Sequence, residues 1–173
     1  MNVAIIIPPS DFRDETVSSA VSLLGKWGVN CLISSTTIGE CVGYHGAIFR
    51  SSLLFNEVTT ENFDGILVPD GPGVESYKLY DERRLLDVIK HFNDKKKPLA
   101  CVGNAIKILA RANVISNVKI ANVKDKETAR LVGLFRGVMT ANDLEAQGNI
   151  ITFSGGENAD SAVDALLDRL EVR

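Results

Sequence analysis

The residues best placed to do chemistry lie in Lys97-Pro98-Leu99-Ala100-Cys101-Val102-Gly103-Asn104-Ala105-Ile106-Lys107-Ile108-Leu109-Ala110. A short apolar run after a proline turns at Gly103 and opens a helical pattern. That is how a buried parallel strand delivers its carboxyl end to a surface crevice in an open α/β sheet. In a nucleophile elbow of this kind, one side chain is held in a strained backbone conformation and exposed to substrate. A thiolate at such a turn is the reactive species, and a helix N-terminus lowers its pKa. Cys101 is thus a candidate nucleophile, weighed against the fact that a cysteine in an apolar strand is more often an inert small hydrophobe.

Other reactive residue types show no working pattern. Cys31, Cys41 and Cys101 are odd in number and lack metal spacing, so a reduced, cytoplasmic protein is expected, with Cys31 and Cys41 as packing residues. His45, in Gly43-Tyr44-His45-Gly46, reads as a turn residue, and His91 as a surface residue of a charged helix. Asp143 and Glu145 make no metal pair with anything nearby, and Walker and zinc signatures are absent, so no metal and no cofactor are expected. Ser34-Ser35-Thr36-Thr37-Ile38-Gly39 looks like a flavin phosphate loop, but it follows the second strand where flavodoxin loops follow the first.

These residues need a scaffold, and the chain supplies an alternation of strands and helices. Val3 to Ile7 is an unbroken β-branched run, the signature of a central parallel strand covered on both faces. Ser10 or Asp11 is expected to cap a helix running through Val17, Ala20, Val21, Leu24 and Trp27, closed by Gly28. Val29 to Ser34 is the second strand, and this β-α-β opening demands a right-handed crossover. Thr36 to Thr60 reads as a small β-hairpin or edge insertion. Ile66 to Pro69 is a strand, Asp81 to Phe92 a helix, Pro98 to Val102 the elbow strand, and the elbow helix runs to Ala112. Val118 to Ala121, Leu131 to Gly133 and Asn149 to Phe153 read as further strands, and Ala159 to Leu170 as the closing helix. The pattern is α/β: a flavodoxin-like three-layer α/β/α sandwich, a mostly parallel central sheet with a small β insertion, one domain over residues 1–173.

Composition fits a soluble globular protein. Apolar residues make up 45% and charged residues 24%, and a net charge of −3 argues against nucleic acid or an anionic membrane as partner. Lys95-Lys96-Lys97, the only basic run, reads as a solvated helix end. No apolar stretch approaches the ~20 residues of a membrane span, and Met1-Asn2 is read as entering a strand with no signal peptide.

In order and spacing these pieces resemble the ThiJ/PfpI superfamily, which holds intracellular-protease-like and Parkinson-associated deglycase-like proteins on a class I glutamine amidotransferase-like fold. Asp64-Gly65-Ile66-Leu67-Val68-Pro69-Asp70-Gly71 looks like its D-x-x-x-x-P-G-G turn, and Lys97 through Leu109 like its K-P-V-A-A-I-C-H-G-P-x-x-L stretch. Glu15-Thr16-Val17 follows the first strand where the family places a glutamate, and Thr152 to Gly156 resembles its final strand and loop. The resemblance implies an elbow cysteine, a glutamate hydrogen-bonded to its thiol (here Glu15), and an oxyanion hole of backbone N–H groups. It also implies association as a dimer or larger homo-oligomer.

Two registers place the elbow. Ungapped, the nucleophile position is Gly103 and Asn104 replaces the histidine that often follows. Gapped, Cys101 is the nucleophile and Val102 replaces the histidine. The gapped register leaves only Leu99-Ala100 between proline and elbow, short for a central strand of about five or six residues. Glycine also relieves a strain of roughly 1–3 kcal/mol at the elbow backbone while removing the reactive group. The ungapped register is therefore favoured. Asp70, where the family has a glycine, places a negative charge beside the oxyanion hole, and Asn122 lies where some members carry a site histidine. The implied function is a non-catalytic or atypical family member with a crevice of Glu15, Asp70, Gly71, Val102, Gly103 and Asn104, suited to small-molecule binding or a stress-related role. The alternative is a cysteine-dependent hydrolase, glyoxalase or peptidase-like enzyme. In it Cys101 attacks a carbonyl, Glu15 tunes the thiol, and the N–H groups of Gly71 and Val102 hold the oxyanion.

Overall fold

The computed structural model describes residues 1–156 and 158–173. Strand β1 (Asn2–Ile6) is followed by helix α1 (Asp14–Lys26) and β2 (Asn30–Ser35). Strands β3 (Gly39–Val42) and β4 (Ile48–Ser51) form an antiparallel hairpin, and β5 (Leu53–Leu54) adds an edge strand parallel to β2. Next come β6 (Gly65–Val68), the short α2 (Pro72–Ser76), α3 (Arg83–Asp94), β7 (Leu99–Val102) and α4 (Ile106–Arg111). The chain continues through β8 (Lys119–Ile120), α5 (Lys126–Leu134), β9 (Val138–Met139), β10 (Leu144–Gln147), β11 (Ile150–Phe153) and α6 (Asp160–Leu170).

The central sheet runs β10-β11-β7-β6-β1-β2-β5, parallel throughout except at the β10–β11 edge. Side chains alternate between its two faces, as pleating requires. Ala4, Ile6, Ile66, Val68, Leu99 and Cys101 pack with the apolar stripe of α3 and with α4. Val3, Ile5, Leu67, Ala100 and Val102 face the other way, onto α1 and α6. This is the three-layer sandwich the sequence pattern predicts. From β1 the chain moves to β2 on one side, while β6 lies on the other. The gap above the carboxyl ends of β1, β6 and β7 is the place where such sheets open a crevice.

Two expectations are corrected. Leu131-Val132-Gly133 is helical, inside α5, because Asp125 caps the helix by accepting the Thr128 N–H, and Thr128, Leu131 and Val132 bury one face at helical spacing. A three-residue apolar run cannot distinguish strand from helix on periodicity alone. Helix α1 also starts later than Ser10 or Asp11. The backbone of residues 9–12 pairs with the hairpin instead: Asp11 N–H donates to Val42, Val42 to Pro9, and Tyr44 to Phe12. Strands β9 and β10 were not expected: β9 is an exposed two-residue pairing with β8, and β10 lies at the sheet edge, where Leu144 and Ala146 alternate with Glu145 and Gln147 over only four residues.

Candidate functional site at the strand ends

The turn out of β7 falls at Gly103, with φ +54°. This is the left-handed region, where a residue with a Cβ is strained. Space is closed as well: a Cβ on Gly103 would lie 2.9 Å from Asp70 Cβ and 3.1 Å from Asp70 Oδ2. The Asp70 side chain thus fills the room an elbow side chain would need.

Asp70 ends the turn after β6 and is 7% exposed. Arg13 Nε lies 3.1 Å from both of its carboxylate oxygens, and the Arg13 backbone N–H donates to the Asp70 carbonyl at 2.8 Å. Burial pushes the Asp70 pKa up, and the Arg13 guanidinium brings it only part of the way back. Beside it, Asn104 clips the turn: Gly71 N–H donates to its Oδ1 at 3.2 Å, and its Nδ2 donates to the Gly71 carbonyl at 2.8 Å. The Gly71 N–H proposed for an oxyanion is therefore already engaged by a side chain.

Asp70, Gly71, Gly103 and Asn104 line one crevice of about 440 Å³, joined by Arg13, Pro72, Lys124, Asp125 and the Ser154–Gly156 turn. Val102 lies beneath, fully buried in β7. Cys101 is 1% exposed and belongs to the core on the α3–α4 side, where burial raises its thiol pKa far above the usual range. Glu15 does not line the crevice. Its Oε1 lies 2.5 Å from His45 Nδ1 at the hairpin tip, and the residue that reaches the crevice from this loop is Arg13, two positions earlier.

Arg13 and Lys124 were missed by sequence reasoning. The usable signal for Arg13 was Asp70 itself, since a carboxylate put in place of a turn glycine next to a buried strand needs a cation within reach. A larger hollow, about 610 Å³, runs between residues 56–61 and α3, and His91 lines it. It lies away from the strand ends and holds none of the motif residues.

A buried lysine braces the walls around the crevice. Lys107, on α4, is 3% exposed and places Nζ 2.8 Å from Glu75 of α2 and 3.8 Å from Asp125 at the start of α5. The same ammonium stands 5.1 Å from the Tyr80 ring centroid. It ties together the three segments that follow β6, β7 and β8.

Comparison with known proteins identifies the family. The DJ-1/PfpI family profile matches residues 1–161, and the chain belongs to that family. An uncharacterized protein of Methanocaldococcus jannaschii is 26% identical over 150 residues, covering 87% of this chain and 73% of its own length. A Pyrococcus furiosus protein named deglycase PfpI is 24% identical over 115 residues, 66% of this chain and 68% of its own. Among solved structures, a ThiJ/PfpI domain protein from Brachyspira murdochii superposes with a TM-score of 0.92 at 24% identity, covering 99% of this chain and 97% of that one. Among the described residues, no helix is long and apolar enough to cross a membrane.

Proposed function

We propose that this protein is a non-catalytic member of the DJ-1/PfpI family whose elbow crevice binds a small anionic ligand. The observation that carries the reading is the elbow itself: Gly103 offers no side chain, and the room beside it is taken by Asp70 held on Arg13. Arg13 spends only Nε on that pair. Its terminal nitrogens have no partner among the described residues, and its side chain is 27% exposed to the crevice side. A guanidinium fork free at its outer edge suits a carboxylate or phosphate, and Lys124 adds a second cation to the same wall.

The competing reading, a cysteine-dependent deglycase, glyoxalase or hydrolase, draws on the relatives named deglycases. It needs a Cys101 thiolate that meets solvent, and burial opposes both conditions.

The experiment is calorimetric titration with acetate, oxalate and inorganic phosphate, run beside turnover assays on methylglyoxal and on glycated amino acids. Saturable anion binding that is lost in Arg13→Gln, with no turnover, is the expected result. Turnover abolished by Cys101→Ala would overturn the non-catalytic reading, and anion binding indifferent to Arg13→Gln would overturn the assignment of the crevice.

A further inference from the structure

Immediately after Arg13, the same loop turns two acidic side chains away from the crevice and toward the hairpin. Asp14 is 5% exposed, and its two oxygens accept the backbone N–H groups of His45 at 2.8 Å and Ala47 at 2.7 Å. The hairpin is shaped around this carboxylate: a Cβ on Gly43 would come within 2.2 Å of Asp14 Oδ2. Glu15 Oε1 meets His45 Nδ1 at 2.5 Å. Ligand-capable atoms of Asp14, Glu15 and His45 all lie within 4.8 Å of one another.

We propose that Asp14, Glu15 and His45 form a binding site for a divalent transition-metal cation such as zinc. Two carboxylates and an imidazole are a donor set for zinc, cobalt or iron(II), whereas magnesium and calcium take oxygen ligands alone. The second carboxylate oxygen of Glu15 adds to this donor set, on a side chain that is 40% exposed as a whole. Glu15 Oε2 is shut off from water and has no hydrogen-bond partner among the described residues. A carboxylate oxygen in that condition is costly unless a donor or cation meets it. Ligand bonds of about 2.0–2.2 Å require the three donors to stand a little over 3 Å apart, so the cation enters by separating His45 Nδ1 from Glu15 Oε1 and taking up both.

The site is organised before any metal arrives. Asp14 is fixed by two amides, one of them the backbone N–H of the ligand His45, which sets one donor against another. The Glu15 and His45 side chains are 40% and 55% exposed, leaving a mouth through which water completes the coordination. Such a cation would pin the β3–β4 hairpin onto the first turn of α1, one residue from Arg13.

The test uses the full chain, metal-free, titrated with Co²⁺ by absorbance and with Zn²⁺ by calorimetry and thermal melting. Expected are one-to-one saturation, weak visible bands without thiolate charge transfer, and a higher melting temperature with Zn²⁺. His45→Ala and Glu15→Gln, each checked for fold by circular dichroism, are expected to weaken binding by about tenfold or more. Cys31→Ser is expected to leave it unchanged. Absence of saturation up to submillimolar metal, a thiolate charge-transfer band, or binding unaffected by His45→Ala would each overturn the site.

Discussion

Two buried aspartates, one on each side of the loop after β1, show what decides the state of a carboxylate inside this protein. Asp14 is 5% exposed and Asp70 is 7% exposed, but the Asp14 carboxyl lies just beneath the surface while that of Asp70 sits deeper in the protein. Their pKa values move in opposite directions. Burial works against ionisation of Asp14, yet backbone N–H groups of His45 and Ala47 aimed at both oxygens outweigh it and the value falls. At Asp70 the deeper burial wins over a partly exposed guanidinium that touches the carboxylate through Nε. Fixed amide dipoles stabilise a buried charge without the loss of side-chain entropy that ordering an arginine demands. One aspartate is thus a permanent clasp between helix and hairpin, and the other is a poised charge in an open crevice.

The largest effect should come from breaking the clasp. Asp14→Ala leaves two amide donors without their acceptor and is expected to destabilise the fold by about 3 kcal/mol in urea unfolding, each orphaned group costing roughly 1–3 kcal/mol. Restoring a side chain to the elbow should come next. Gly103→Cys combines a left-handed backbone with a contact of 2.9 Å to Asp70 Cβ, and about 2 kcal/mol of destabilisation is expected. Asp70→Gly in the same chain should recover part of that loss, so a double-mutant cycle reads out whether the two positions compete for one space.

Arg13→Met tests the poised charge directly. A buried carboxylate left without its cation is costly, but solvent reaches Arg13, so a loss of about 1–2 kcal/mol at pH 7 is expected. That loss should shrink at acid pH, where Asp70 takes up a proton and no longer needs the guanidinium. The pH dependence separates the two aspartates further. Asp14, with its pKa depressed, contributes stability above the ordinary value of 3.8 and loses that contribution as pH falls through its folded-state value. Asp70, with its pKa raised, does the reverse: its contribution declines as pH rises from 3.8 through its folded-state value. Asp14→Asn should therefore flatten the acid limb of a stability–pH curve, and Asp70→Asn should flatten the opposite slope just above it.

The smallest expected effect is at Cys101. With the thiol 1% exposed in the core, iodoacetamide should leave it unlabelled between pH 5 and 9 until the protein is denatured. Cys31, half-buried with its pKa pushed up to about 11, should label first but slowly. Fast labelling of Cys101 below pH 7 would reverse the comparison and place an activated thiol at the strand ends.

Much of the scaffold was legible because it follows from periodicity. Val3 to Ile7 and Leu99 to Val102 are continuous apolar runs bounded by prolines or a glycine turn, as in a strand covered on both faces, and α1 and α6 repeat their apolar residues at helical spacing. The glycine at position 103 could be read as an elbow because the backbone there needs a positive φ and the strand needs its length. Two- and four-residue strands such as β9 and β10 are too short to leave a comparable trace, even where Leu144 and Ala146 alternate with polar neighbours, and the short run at 131–133 fits either element until Asp125 caps a helix.

The members of the site depended on contacts between distant parts of the chain. Spacing along a single loop does not say which of Arg13, Asp14 and Glu15 faces the crevice. The hairpin decided it, because pairing of residues 9–12 with Val42 and Tyr44 rotates the loop, sending Arg13 to Asp70 and Asp14 and Glu15 to His45. Sequence by itself determined the layered sheet and the glycine at the turn after β7, since apolar runs and a glycine are read directly from residue type. Only the tertiary structure decided which charges meet there, because a buried carboxylate takes whichever donor the packing brings within about 3 Å.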